Sequence, residues 1–126
     1  MTTILLVDDS PTIRSITKVY LMEFGAEFVE AEQGERGLQL ARLLKVDLVI
    51  ADVMMPGMDG LAFTRALRLE SDEKVRQVPV ILLTSNREDQ VRREGLGAGA
   101  NDFITKPVKS KDLCDVVRRL LTRRAA

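Results

Sequence analysis

Short aliphatic runs punctuate this chain. Ile4-Leu5-Leu6-Val7, Leu48-Val49-Ile50-Ala51 and Pro79-Val80-Ile81-Leu82-Leu83 are too short for helices and are bounded by polar or turn-forming residues. Such runs predict strands buried on both faces. Pro79 stands first in its run, where a missing N–H costs least. Glu27-Phe28-Val29-Glu30-Ala31 mixes charges with apolar residues and predicts an edge strand. Asp102-Phe103-Ile104-Thr105 predicts a last short strand.

Between the runs the apolar spacing becomes helical. Ser10-Pro11 supplies an N-cap and a proline at the first helical position. Ile13, Ile16, Tyr20 and Phe24 then recur at helical spacing until Gly25. Gly34 to Leu44 predicts a second helix with Leu38, Ala41 and Leu44 toward the sheet. Met54 to Gly60 is dense in turn formers, and Leu61 to about Leu69 predicts a third helix. Asn86 to about Leu96 predicts a charged fourth helix, which Gly95, Gly97 and Gly99 are expected to break. Ser110 is expected to cap a fifth, with Leu113, Val116, Val117, Leu120 and Leu121 as its apolar stripe. Arg118, Arg119, Arg123 and Arg124 lie in its C-terminal half, where they complement the helix dipole. Five strands alternating with five helices predict an α/β domain over residues 1–126, a parallel sheet with helices on both faces.

Composition narrows the chemistry. The chain has 126 residues, 45% hydrophobic and 30% charged, which suits an ordinary globular domain. No apolar run approaches the ~20 residues of a membrane span. The start does not read as a signal peptide, and the single Cys114 excludes an internal disulfide, so the expected location is the cytoplasm. Histidine is absent, which excludes imidazole bases and His-ligated metals. One cysteine excludes thiolate zinc sites. Any metal must then be held by oxygen, which favours a hard cation such as Mg²⁺. Net charge is zero but unevenly placed: residues 1–60 hold ten acids and five bases, and residues 61–126 nine acids and fourteen bases.

In open parallel sheets, ligands bind beyond the carboxyl ends of the strands. Those ends carry Asp8-Asp9, Asp52, Thr84-Ser85 and Lys106-Pro107. Crowded carboxylates repel, which raises at least one pKa unless a cation sits among them. Lys106 is a compact charge suited to a phosphate oxygen, and Thr84 offers a hydroxyl donor. Together they suggest a pocket for a tetrahedral anion beside a metal, with a carboxylate in reach as nucleophile. Each residue alone has a plainer reading as a turn, cap or surface residue; their collection on one sheet edge is what argues for a site.

These residues, taken in order, resemble the receiver domain of two-component response regulators. The match includes Asp8-Asp9, Asp52 with Met55-Pro56-Gly57-Met58-Asp59-Gly60 behind it, Thr84-Ser85, and Lys106-Pro107 after Gly97-Ala98-Gly99-Ala100-Asn101-Asp102-Phe103. It covers essentially the whole chain and is nearest to the single-domain, CheY-like type. The resemblance implies a flavodoxin-like, doubly wound sheet of order 2-1-3-4-5. It implies that Asp52 takes a phosphoryl group from the phosphohistidine of a sensor histidine kinase or phosphotransfer protein. Asp9, Asp52 and the backbone carbonyl of Met54 would hold Mg²⁺, with Asp8 acting through water. Lys106 would pair with the phosphoryl group, Thr84 would swing toward it, and Phe103 would turn inward. The face of the fourth helix, fifth strand and fifth helix would then meet an unidentified output protein. The Lys106-Pro107 bond would be cis.

Two positions depart from the pattern. Met54 stands where many members place a polar residue; with Asn86 it flanks the route of attacking water, so an altered phospho-aspartate lifetime is expected. Phe103 keeps the ring but loses the hydroxyl of the tyrosine found in some members. Rival functions fit less well. A phosphatase of the Asp-x-Asp type would find Met54 where its general acid belongs. A receiver that works without phosphorylation would not need the full set of chemical residues. Nucleic-acid binding by Arg87, Arg92, Arg93 and the last helix lacks interleaved aromatics, and an acidic protein partner suits that basic half better. The expected activity is that of a regulatory phosphoryl acceptor rather than a turnover enzyme, with no membrane partner.

Overall fold

The aliphatic runs pair into one parallel sheet. The computed structural model describes residues 1–85 and 89–125. Its strands are β1 (Thr3–Val7), β2 (Glu27–Ala31), β3 (Leu48–Asp52), β4 (Val80–Thr84) and β5 (Asp102–Thr105). They lie in the order β2-β1-β3-β4-β5, with the charged β2 at an edge as expected. Every residue of β3 and β4 is buried.

Helices α1 (Pro11–Tyr20), α2 (Gly34–Leu43), α3 (Gly60–Arg68), α4 (Glu73–Arg76), α5 (Asp89–Ala98) and α6 (Ser110–Ala125) connect and cover the strands. Alternate strand residues point to opposite faces. Leu5, Val7, Val49, Ala51, Val80 and Leu82 pack with Leu38, Ala41, Phe63 and Leu67 of α2 and α3. Ile4, Leu6, Leu48, Ile50, Ile81 and Leu83 pack with Leu113, Val117 and Leu120 of α6. Two apolar layers thus clamp the sheet, leaving its strand ends as the places where polar groups can collect.

Several local expectations need correction. Six α-helices stand among the described residues, not five, and α1 ends at Tyr20, with a separate 3-10 turn at Met22–Phe24 before Gly25 rather than one helix running to it. The additional α4 is a single turn capped by the Asp72 side chain, too short for apolar periodicity to reveal. Ser10 does cap α1, accepting from the Ile13 N–H. The buried face of α1, however, holds Arg14 and Thr17, while Ile16 is exposed. Both polar side chains reach backbone carbonyls, of Asp8 and Ile13 respectively, so their burial leaves few groups unpaired. Leu44 is exposed because α2 stops at Leu43 and Leu44 turns to extended backbone, φ −117° and ψ 154°.

Gly95 and Gly97 do not break their helix; they lie inside α5, which ends at Ala98, just before Gly99 with φ +107°. Gly95 has a packing reason to be there. A Cβ built on it would lie 1.9 Å from the Phe103 ring, so only a bare backbone lets the ring settle against the helix. Ser110 is the first residue of α6 rather than its cap, since the first helical bond runs from Leu113 N–H to the Lys109 carbonyl. Asn86 and Arg87, expected near the start of the fourth helix, lie outside the described residues, as does the Arg124 side chain. No helix among the described residues is long and apolar enough to cross a membrane.

Candidate functional site

Asp52 is the last residue of β3, and its side chain is almost enclosed. Its Oδ2 accepts from Lys106 Nζ at 2.6 Å, and its Oδ1 accepts from the Met54 N–H at 3.0 Å. Lys106 follows β5, two strands away from β3 in the sheet. The Lys106 N–H donates to the Thr84 carbonyl at 2.7 Å, which ties the ends of β4 and β5 together beside Asp52. Thr84 closes β4 and is buried. The Lys106-Pro107 peptide is cis.

Asp8 and Asp9 enter from the end of β1. One carboxylate oxygen from each of Asp8, Asp9 and Asp52 lies within 4.8 Å of the others. Asp9 is exposed and opens the cluster to solvent, whereas Asp8 is only 3% exposed. Asp8 Oδ1 accepts from the Ser10 N–H at 2.9 Å, but its Oδ2 is buried with no hydrogen-bond partner in the protein. The Asp8 carboxyl is pushed up to about 6, chiefly by burial. The Ser10 N–H opposes that rise, the Asp52 charge adds to it, Lys106 opposes it and Asp9 adds a little more.

An orphaned buried carboxylate oxygen, a raised carboxyl pKa and three clustered oxygen donors are relieved together by one hard cation. The residues present therefore fit Mg²⁺ chemistry. Beside them, a carboxylate held by a lysine and a backbone N–H can receive an electrophilic centre that carries anionic oxygens.

The remaining expected residues fall around this centre. The Met54 side chain is 71% exposed, an apolar group standing in solvent just past Asp52. Phe103, on β5, is already buried, with its ring against Gly95. The apolar stripe did not point to Arg14, which the fold places directly behind the acids. Its guanidinium donates to the Asp8 carbonyl and to Glu30 Oε1, the latter at 2.9 Å. The usable signal was its spacing: Arg14 is four residues after Ser10, so it shares a helix face with the cap that stands at the site.

Residues 4–118 match the response regulator receiver domain. The chain belongs to that family. Receiver domains are the regulatory units of two-component response regulators, and phosphorylation-dependent signalling is their general role. This receiver is 36% identical over 121 residues to the protein PilH of Pseudomonas aeruginosa, covering 96% of this chain and 98% of PilH. It spans about half the length of other curated relatives it matches, 50, 52 and 48% of three of them. Among solved structures it superposes on the chemotaxis protein CheY4 of Vibrio cholerae with a TM-score of 0.87 and 32% identity, covering 95% of this chain and 98% of CheY4. The receiver domain of the sensor histidine kinase PA1611 of Pseudomonas aeruginosa matches with a TM-score of 0.85 and 30% identity, covering 96% of this chain and 98% of that one. That structure carries a magnesium ion coordinated in its active-site cleft.

Proposed function

We propose that this receiver accepts a phosphoryl group on Asp52 from the phosphohistidine of a sensor histidine kinase or phosphotransfer protein, and relays the signal in the cytoplasm through protein contacts. The observation that carries the reading is the Asp52 carboxylate, held between Lys106 Nζ and the Met54 N–H, with Asp8 and Asp9 beside it. The magnesium site of the PA1611 receiver supports the same use of this cluster.

Asp9, Asp52 and the Met54 backbone carbonyl would hold Mg²⁺, and Asp8 would act through water. Bound there, the ion supplies neutralisation of charge between the carboxylates and the phosphoryl oxygens. Asp52 provides the nucleophile: one of its oxygens bonds to phosphorus as the P–N bond of the donor breaks, and the electron pair leaves with the donor nitrogen. Lys106, already oriented by Asp52, takes a phosphoryl oxygen without having to be recruited from solvent. Histidine is absent and Met54 is not an acid, so no side chain at this position serves as general acid for repeated turnover.

The new acyl phosphate adds a charge of about −2 and strong acceptor oxygens. It shifts a conformational equilibrium only if one state offers it better contacts. Thr84 and Lys106 are the groups that would offer them, and both sit at strand ends leading into α5 and α6. Phe103 lies on β5, which runs directly into Lys106, so a change at the strand end reaches the ring. Phe103, Thr105, Lys109, Asp112 and Val116 line an open groove with Arg92 of α5. This is the face we assign to an output partner. Arg118 and Arg119 of α6 pair with Glu23, Asp115 and Asp102 within the chain, which argues against a role for them on nucleic acid.

The test is to incubate the protein with Mg²⁺ and acetyl phosphate and follow intact mass. One acid-stable, base-labile phosphoryl group should appear, require the ion, and vanish in Asp52→Asn. Equal labelling of Asp52→Asn would overturn the assignment, and rapid multiple-turnover release of phosphate would favour a phosphatase instead.

A further inference from the structure

We propose that Arg14 is a positioning residue for the acidic cluster, fixing the Asp8–Asp9 peptide so that both carboxylates face the cation site. The inference rests on reading Asp8, Asp9 and Asp52 as that site.

β1 ends just before the two acids. Val7 is the last paired residue of β1, opposite Ala31. One more bond, from the Asp8 N–H to the Ala31 carbonyl at 3.0 Å, holds the near side of Asp8. The Asp8 carbonyl lies past the ladder. What binds it sets the orientation of the peptide plane whose far end is the Asp9 Cα, because that plane is rigid. Arg14 Nη1 makes this bond.

Arg14 is itself braced. Its side chain is only 10% exposed, and its Nε donates to Glu30 Oε1 at 2.9 Å. Glu32 Oε1 lies 3.8 Å from another of its nitrogens. The second oxygen of Glu30 accepts from Lys18 Nζ at 3.1 Å. Glu30 stands on β2 in register with Leu6 of β1. The brace therefore runs from Lys18 through Glu30 and Arg14 to the Asp8 carbonyl, using the edge strand as its anchor.

A planar guanidinium with five fixed donors can hold a carbonyl and a carboxylate at once; an ammonium on a flexible stem lacks that fork geometry. Groups that orient metal ligands from behind typically change metal affinity by about 10- to 100-fold when lost.

Sign separates this role from a purely electrostatic one. Arg14 is a cation close to a cation site, so removing its charge alone would tighten Mg²⁺ binding. Removing a positioning group weakens it. The experiment is Mg²⁺ titration by calorimetry of the unchanged protein, Arg14→Gln, Arg14→Lys and Glu30→Gln, each confirmed folded by circular dichroism. Amide NMR of the metal-free proteins accompanies it. Arg14→Gln should weaken Mg²⁺ binding about 10- to 100-fold. Arg14→Lys should fall between, and Glu30→Gln should weaken binding in the same direction. The Asp9 and Ser10 amide resonances should shift before any metal is added.

Variants that bind Mg²⁺ as the unchanged protein does, or more tightly, would overturn the proposal. If Arg14→Gln does not fold, Arg14→Lys decides alone, because it keeps the charge and loses only the fork geometry. Failure of the unchanged protein to bind Mg²⁺ would overturn the cation reading itself, and this inference with it.

Discussion

Asp8→Asn should stabilise the metal-free protein, although it removes a residue of the site. Burial and the neighbouring Asp52 raise the Asp8 carboxyl from an ordinary value of 3.8 to about 6. A carboxyl whose pKa rises on folding binds its proton more tightly in the folded state. Folding stability then declines as pH climbs from the unfolded pKa through the folded one, and the full penalty is present above both. Between 3.8 and about 6 the difference corresponds to about 3 kcal/mol at neutral pH, at 1.36 kcal/mol per pH unit. At pH 4 the same relation leaves only about 0.5 kcal/mol.

Asn keeps the Oδ1 acceptor for the Ser10 N–H. It also places a donor where Asp8 Oδ2 has no partner, on a residue clustered with Asp9 and Asp52. Urea unfolding in EDTA at pH 7.5 should show Asp8→Asn more stable by about 1–3 kcal/mol, with the advantage shrinking toward zero at pH 4. Saturating Mg²⁺ should reverse the ranking, because only the unchanged protein gains the full linkage term from the ion. Destabilisation of Asp8→Asn at pH 7.5 without metal, or a difference independent of pH, would refute the reasoning.

Other consequences are as direct. Met54→Asn puts a group that can orient water beside Asp52; the phosphorylated half-life should shorten about tenfold, the scale of one well-placed hydrogen bond, and equal half-lives would sink the idea. Gly95→Ala drives a methyl group into the Phe103 ring and should cost about 1–3 kcal/mol in urea unfolding. The Gly95→Ala/Phe103→Ala double variant should cost less than the sum of the single ones, and strict additivity would contradict the contact. Arg68 donates to the carbonyls of Gly99, Arg76 and Val78 and to Asn101 Oδ1. Arg68→Ala strands those acceptors and should lower stability by about 2–4 kcal/mol; a loss under about 0.5 kcal/mol would show that water replaces the arginine readily.

The strands were legible because burial on both faces demands uninterrupted aliphatic runs, and such runs are conspicuous in Leu48–Asp52 and Val80–Thr84. The acidic cluster was legible for a related reason: each run stops where a polar residue begins, and parallel strands bring those stops to one edge. Less local features escaped. Strand-end position brings Asp52 and Lys106 to one edge but does not reveal their direct ion pair, which joins residues 54 apart and depends on strand order. Gly95 and Gly97 look like helix breakers to intrinsic propensity, yet packing against Phe103 favours glycine at position 95, and tertiary contacts override the propensity. Arg14 was hidden because apolar periodicity marks hydrophobic faces, while the centre of the α1 buried face holds polar side chains that satisfy backbone carbonyls. A stripe continued to Leu44 overshoots by one residue the turn where α2 ends.

The central claim is that Asp52 itself becomes the acyl phosphate. The most direct measurement is to phosphorylate the protein with acetyl phosphate and Mg²⁺, reduce it with borohydride, and locate the reduced residue by tandem mass spectrometry of a proteolytic digest. Borohydride converts an acyl phosphate to the corresponding alcohol and leaves free carboxylates unchanged. The account predicts a single reduced side chain at position 52. Reduction at Asp8, Asp9 or Asp59 instead, or none at any aspartate, would contradict it.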